Sequence, residues 1–526
     1  MDMKKNILTI FGFLLVTVAT AQNAYDAERM LGSDLNGTAR FIGMGGAMSA
    51  LGGDMSVMGT NPAGLGIFRS NDVSVSFGFN NTGTESVFNE TSMKENRTRA
   101  SFDQVGFVYT NKIGNNTSCR FVNFGFNYHK SKNFNRLFSM GGALNGMSQS
   151  KYLADEMDAW GMQSGSDFDA VLDAEKPYNN YWNKYPVLGI MGVMTGLVDW
   201  DDNLGVIGWN GYSNNFFSKE TGGISQYDFS VAFNIEDRFY IGASLGIYDA
   251  KYNRYTSYTE ELDDDNGNPN GGYSLDTYYG LTGSGLDLKL GMIYRPFEES
   301  PFRVGLAVHT PTWYDLTETY NATMDSNIDW WGEAYSQTLS DELNPNYLIY
   351  DYRLVTPWKY NVSLGTTLSG LIAIGAEYEY QDYSASRLMD IEGYELGGQV
   401  DVEDFLKGVH TFRLGMEVCI APKFSVRSGY NYSTAAFEDY AYNALSLYGV
   451  NTDFNNTQSK QTMTFGVGYR GSVLYADLAY KHDMYKSEFC AFDSNFNFET
   501  DNYDFLPYTK VDNSRHQLVF TLGARF

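Results

Sequence analysis

Basic side chains are scarce in this chain of 526 residues: 37 Lys and Arg stand against 63 Asp and Glu, a net charge of −26. Nucleic-acid binding rests on cations that neutralise phosphates, so the balance argues against that class of partner. Long apolar runs are also missing. After the first 21 residues no stretch reaches the roughly 20 apolar residues that a membrane helix needs, and with a mean hydropathy of −0.34 a bundle of spanning helices is excluded. Cysteine is limited to Cys119, Cys419 and Cys490, too few and too irregular for a disulfide framework or a zinc site. A single Cys119–Cys419 bridge stays open on spacing alone. Proline numbers only 11, whereas 54 Gly, 40 Tyr and 35 Phe point to strands and turns. By length alone the chain suggests about three domains of roughly 150 residues, but all-β barrels run longer as one unit.

The first segment reads as a secretory leader. Lys4 and Lys5 precede an apolar stretch from Ile7 to Ala19, and Ala19-Thr20-Ala21 forms a small-x-small cleavage site before Gln22. Removal of residues 1–21 takes away Asp2, Lys4 and Lys5 and leaves the mature chain at −27. No cysteine lies near the cleavage site, which argues against a lipid anchor there.

From residue 72 onward the sequence repeats stretches of about ten residues in strict alternation. Val73, Val75, Phe77 and Phe79 fall on one face of such a stretch, and Ser74, Ser76, Gly78 and Asn80 on the other. Fourteen strands are expected, over 72–80, 102–110, 120–130, 226–235, 238–250, 286–295, 302–311, 353–368, 371–381, 409–420, 424–433, 461–470, 473–482 and 515–526. The connections alternate between short turns, such as Glu236-Asp237, Ser369-Gly370 and Gly471-Ser472, and long polar loops over 81–101, 131–225, 251–285, 312–352, 382–408, 434–460 and 483–514. An even strand number with short turns on one rim and long loops on the other is the plan of an outer-membrane barrel. A soluble β-sandwich also alternates. It has no reason to lengthen every second loop, and its packed core does not tolerate the charges that fall here on the non-bulky face: Lys289, Arg303, Glu377, Glu379, Arg413 and Arg427. The chain ends on Leu518, Phe520, Leu522, Ala524 and Phe526, an alternating strand with a terminal aromatic of the kind read by barrel-insertion machinery, for which Phe526 is the expected signal. The expected fold is all-β: a 14-stranded antiparallel transmembrane β-barrel over 72–526.

Residues 22–71 lack the strand pattern and are dense in glycine over 37–66. Gly43-Met44-Gly45-Gly46 has the look of a phosphate loop but lacks the flanking strand and full motif. A Gly- and Ala-rich segment packs closely against other backbone and suits a plug for a lumen that side chains alone do not fill. Arg40, Gly43, Gly45-Gly46-Ala47, Ala50-Leu51-Gly52-Gly53-Asp54 and Asn61-Pro62-Ala63-Gly64, leading straight into the first strand, resemble the N-terminal hatch of the FadL/TodX family of outer-membrane channels. The segments RVGLAVHTPTWYDL and FSVRSGYNYS are similar to family barrel segments, less specifically. The resemblance implies a hatch with an Asn-Pro-Ala motif inside a fourteen-stranded barrel that imports long-chain fatty acids or aromatic hydrocarbons, gated by a shift of the hatch and an opening in the wall. It implies hatch and gating roles for Arg40, Gly43, Gly45, Gly46, Asp54, Asn61, Pro62, Ala63 and Gly64. The longest loop, 131–225, follows the third strand, whereas the family's capturing loops follow later ones.

A hydrophobic solute needs an apolar path with a gate. The most apolar stretch of the mature chain, PVLGIMGVMTGLV over 186–198, lies in that longest loop with Trp182, Trp200 and Trp209 near its ends. Two readings stand side by side: the wall of an outer capture groove, with Leu188, Ile190, Met191 and Met194 touching ligand, or the core of a cap. A fatty-acid carboxylate wants a lumen cation, and parity places Lys289, Arg303, Arg413 and Arg427 inside, where acids such as Asp287, Glu377 or Glu417 equally neutralise them. Parity points His129 and His309 inward and His410, His482 and His516 outward, with His482 and His516 adjacent across the last hairpin. No base–nucleophile set is visible, so an enzyme is not expected, and neither a cofactor nor a resident metal is. Haemin uptake through the inward histidines, and a carrier barrel of a protein secretion system, are the alternative functions. DDDNGNPNGG over 263–272 breaks the calcium-loop order and reads as a solvated acidic turn. Expected partners are a fatty acid or similar hydrophobic molecule, the lipid and lipopolysaccharide of the outer membrane, and the insertion machinery.

Overall fold

The computed structural model describes residues 22–264, 266–328, 334–343, 348–497 and 500–526, so the expected leader falls outside the described residues. The alternating segments form one closed antiparallel wall of fourteen strands. These are β1 (Asp72–Phe88), β2 (Thr91–Lys112), β3 (Cys119–Asn133), β4 (Asn210–Ile235), β5 (Phe239–Asp263), β6 (Pro269–Tyr294), β7 (Arg303–His309, continued as Trp313–Ser326), β8 (Ile349–Val355, continued as Lys359–Leu368), β9 (Ile372–Asp382), β10 (Gly408–Ala421), β11 (Phe424–Ser433), β12 (Phe454–Arg470), β13 (Leu474–Cys490) and β14 (Thr509–Arg525). Each expected strand lies in one of them. Pairing of Asp72 with Arg525 through Val87 with Lys510 shuts the cylinder between β1 and β14.

The outward apolar sets, among them Phe77, Phe79, Phe465, Leu414 and Leu518, are exposed, while the opposite faces are buried. A belt of this kind on a closed wall faces lipid. The short-turn rim is built as expected: Glu236 and Asp237 both have φ 55°, and Ser369-Gly370 has φ 51° and 66°. Positive φ at both central residues is the mark of the two-residue hairpin turn whose twist matches its strands.

On the other rim the strands run well past the expected ends. The expected loop 81–101 is a continuation of β1 and β2 to a turn at Asn89-Glu90, and 251–285 is mostly β5 and β6. The reason lies in the outward face: Thr91–Ala100 carries Lys94, Asn96 and Thr98 there, so the apolar half of the alternation stops while the hydrogen-bonded ladder goes on. β7 breaks at Thr310-Pro311-Thr312, where proline has no N–H for a ladder.

Residues 22–71 run inside this wall from the long rim to the short one. Helix α1 (Ala24–Met30) opens with Asn23 and Asp26 in a reciprocal capping box, and α2 (Ala39–Gly43) is capped by Thr38. Two single 3-10 turns follow, Met55–Gly59 capped by Asp54 and Pro62–Ile67 capped by Asn61. The segment leaves at Asn71, whose N–H donates to the carbonyl of Phe526 (3.0 Å). Above the wall sits a cap whose core includes the helices Gln149–Ala159 and Val187–Met194. All three cysteines are free, which removes the Cys119–Cys419 bridge.

Candidate functional site

The N-terminal segment is seated by backbone contact with wall glycines. Gly429 and Gly415 of neighbouring strands β10 and β11 face each other in register and leave room for the backbone of Met44 and Gly45. A Cβ on Gly43 would stand 3.3 Å from Gly466 Cα, and Gly45 has φ +61°, a conformation that glycine adopts without cost. Gly46 also has positive φ and packs on Leu35. At the Asn-Pro-Ala turn, Asn61 Oδ1 accepts from Ala63 N (3.1 Å) and its Nδ2 donates to Met292 O of β6 (3.3 Å). Pro62 occupies the first position of the 3-10 turn, where its missing N–H leaves nothing unpaired. Gly64 packs against Val57 and Gly52, and Asp54 accepts from Thr38 Oγ1 (2.7 Å).

A chain of charges ties this segment to the wall. Arg40 grips Glu417 with two hydrogen bonds of 3.1 Å and donates to Gly53 O (3.0 Å). Glu417 also receives Arg427, which reaches Asp477 at 2.6 Å. Higher up, Asp34 is met by Lys460 (2.9 Å) and Arg515 (2.8 Å), and Lys132 donates to the carbonyls of Glu28, Arg29 and Leu31.

Parity placed the four expected ligand cations inside, and there they are, but each is engaged. Lys289 is 1% exposed between Asp228 (2.9 Å) and Asp287 (2.8 Å). Arg413 pairs with Glu377 (2.7 Å) and Glu379 (3.1 Å), Arg427 as above, and Arg303 donates to Leu51 O (2.7 Å), while its Nε is buried without a hydrogen-bond partner among the described residues. The inward histidines are likewise occupied. Nε2 of His309 lies 2.8 Å from Thr60 O, and His129 Nδ1 lies 3.2 Å from Asn127 Nδ2 and 3.7 Å from Asp228.

The apolar segment 186–198 is the core of the cap rather than the wall of an open groove. Leu188, Ile190 and Met191 are fully buried, with Gly189 against Met157 and Gly192 against Val198, and Met194 packs on the same cluster. Trp182, Trp200 and Trp209 are partly buried against the same cluster, and Trp209 Nε1 donates to Gly196 O (2.8 Å). A helix with apolar residues on every side is buried on every side, and here only Met194 at its end is partly exposed.

Two cavities lie in the lumen on either side of Met30–Asp34. The lower, about 170 Å³, is polar and lined by His129, His309, Lys289, Asp287 and Arg413. The upper, about 320 Å³, lies between that septum and the cap. Its wall is aromatic, with Phe134, Phe138, Tyr252, Phe454 and Phe489, and its rim carries Arg29, Lys132, Arg136 and Arg254. Arg29 stacks over Tyr252 (4.4 Å), and Arg254 is held by Asp453. Arg136 differs. Its one acid, Glu220, is 3.9 Å away, and its Nε and Nη2 are buried without a hydrogen-bond partner among the described residues. Sequence reasoning missed Arg136 because it fell within the presumed loop 131–225.

The wall also has a seam. β2 and β3 pair only from Gln104–His129 to Lys112–Phe121. Beyond that the chain after β3 stays paired with β4, from Arg136 with Glu220 to Ala143 with Ser213, and lies behind the β1–β2 hairpin, with Ser86 Oγ donating to Ser139 O (2.6 Å). Asn36 of the N-terminal segment fills the seam, donating to Asp103 (3.3 Å) and to Lys130 O (3.1 Å).

No family model and no curated protein matches the sequence. Among solved structures, a deltaS2 mutant of the TodX monoaromatic hydrocarbon channel superposes with a TM-score of 0.50 at 12% identity, over 94% of this chain and 100% of that one. A Pseudomonas aeruginosa FadL homologue gives 0.49 at 12% identity, over 94% and 99%. The toluene transporter TbuX of Ralstonia pickettii gives 0.45 at 16%, over 94% and 99%. The chain thus has the FadL/TodX-type fold, a closed fourteen-stranded barrel with its own N-terminal segment lodged in the lumen.

Proposed function

We propose that this protein is an outer-membrane channel for hydrophobic small molecules, and that its substrate carries an acidic head, as a long-chain fatty acid does. The observation that carries this reading is the upper cavity, where an aromatic wall meets the guanidinium of Arg136, whose Nε and Nη2 are buried without a hydrogen-bond partner among the described residues. A buried donor without an acceptor costs about 1–3 kcal/mol, and a carboxylate taking both free N–H groups would satisfy it. A cavity of this size suits a small ligand. The TodX channel that shares the fold conducts monoaromatic hydrocarbons, which supports uptake of apolar solutes in general.

Passage then asks two things of the N-terminal segment. The septum Met30–Asp34 must move for solute to pass from the upper cavity to the lower, and Asn36 must leave the seam for solute to exit sideways. Arg40, Gly43, Gly45, Gly46, Asp54, Asn61, Pro62, Ala63 and Gly64 form the part that stays seated and guides that motion. The charges of the lower lumen make it a poor path for an apolar chain, which favours exit at the seam.

The test is direct binding of labelled oleate to purified protein. Arg136→Gln is expected to weaken binding about tenfold, or 1.4 kcal/mol, while toluene-like ligands without a head are unaffected. Equal oleate affinity in both proteins would remove the acidic-head reading, and co-purification of secreted proteins without saturable lipid binding would favour a secretion carrier.

A further inference from the structure

A further hollow lies outside the lumen. About 570 Å³ opens on the outer wall, across β12, β13, β14, β1 and β2, above the lipid-facing belt. The outward residues there are arranged in rows across paired strands. Phe465, Tyr480 and Leu518 close the apolar belt, and one step higher His482, His516, Asn81 and Thr98 stand side by side. In the next row Ser514 and Gly83 lie between the longer Met484 and Asn96, and all four line the hollow. The last row reads Lys486, Asp512, Glu85 and Lys94.

Each row has a physical role at a membrane surface. The His482 and His516 rings stack at 4.2 Å, and the Tyr480 hydroxyl lies 2.7 Å from Nδ1 of His516, which as acceptor leaves Nε2–H to donate outward. The two lysines are exposed and, among the described residues, pair with the acids of their own row, Lys94 with Glu85 at 3.0 Å and Lys486 with Asp512 at 3.7 Å. Exposed pairs of this kind contribute about 0–1 kcal/mol and exchange readily for a phosphate. The lysines sit at the two ends of the row, three strand spacings apart, or about 14 Å.

We propose that this hollow binds the diphosphorylated disaccharide headgroup of lipopolysaccharide. The two lysines take the phosphates at its two ends, Glu85 and Asp512 accept from sugar hydroxyls between them, and the histidine row meets the amide-linked chains where they enter the belt. The site is continuous with the lipid-facing surface, which is what selects a lipid over a soluble glycan. It rests on the placement of the wall in an outer membrane and is independent of what passes through the lumen.

Purified protein stripped of lipopolysaccharide tests it, with diphosphoryl lipid A, monophosphoryl lipid A, phosphatidylglycerol and inorganic phosphate as probes. Diphosphoryl lipid A is expected to raise the thermal midpoint by several degrees and to bind at least tenfold tighter than the monophosphoryl form. K94E/K486E should lose that preference, and H482A/H516A should weaken both forms. These positions face outward, and retention of the heat-dependent gel shift of folded barrels checks that the variants fold. Equal stabilisation by phosphatidylglycerol, competition by millimolar inorganic phosphate, or unchanged binding in K94E/K486E would overturn the proposal. Oleate uptake is read separately, so its failure leaves this result standing.

Discussion

Gly429 of the wall and Gly45 of the N-terminal segment meet backbone to backbone: a Cβ on Gly429 would stand 2.6 Å from Gly45 Cα, and a Cβ on Gly45 would stand 3.2 Å from Gly429 Cα. Neither position has space for a side chain, so the seat of the segment is set by what both residues lack. Gly429→Ala is expected to cost about 1–3 kcal/mol through overpacking. It should also loosen the segment in its seat, read as a lower thermal midpoint together with higher single-channel conductance in planar bilayers. Unchanged conductance would show that the segment is held from elsewhere.

Lys289 tests the difference between a structural and a ligand-binding cation. Buried between Asp228 and Asp287, it cannot be removed without leaving two carboxylates facing each other. Breaking a buried pair costs about 3–5 kcal/mol. Lys289→Met should therefore lower stability strongly while the protein that folds keeps wild-type oleate affinity; a selective loss of affinity would return Lys289 to the ligand site.

Asp34 holds the septum between the two cavities. Asp34→Asn leaves Lys460 and Arg515 without their acid and weakens the latch. Faster oleate uptake and faster proteolysis after Arg29 are the expected outcomes, both measured in intact cells. Slower uptake would mean that the latch positions the solute rather than blocking it.

The cap carries its own pH dependence. Burial pushes the carboxyl of Glu156 up to about 7 and those of Asp155 and Asp401 up to about 6. Between their ordinary values and these raised ones, the folded cap binds more protons than the unfolded chain, so its stability falls as pH rises from about 4 to about 7. Protection factors over Gln149–Ala159, corrected for the intrinsic pH dependence of amide exchange, are expected to be higher at pH 5 than at pH 7.5. Glu156→Gln should flatten much of that difference.

The wall was legible because lipid on one side and a polar lumen on the other write a two-residue period, as in Val73 to Asn80. Parity also told inward from outward charges, and His482 beside His516 followed from register. The ends of β1 and β2 were not legible, since water on the outward face at Lys94 and Asn96 erases the apolar half of the pattern while the hydrogen bonds continue. The cap stretch Val187–Met194 is apolar on all sides, and composition alone does not separate a covered core from a ligand wall. Arg136 carried no local signal at all. What distinguishes it from Arg413 or Arg427 is the absence of a second acid within reach, a property of the folded neighbourhood and not of the residue.

The closure of β1 onto β14 joins Asn71 to Phe526 through a pair of backbone hydrogen bonds. The final strand of the barrel therefore completes the wall around the segment that precedes the first. A segment that spans the lumen from rim to rim and fits glycine against glycine cannot be threaded into a finished cylinder. Assembly must gather it against an open, curved sheet and only then zip the final edge, so a chain stopped before Thr509 would present both a bare strand edge and an unhoused N-terminus to quality-control proteases.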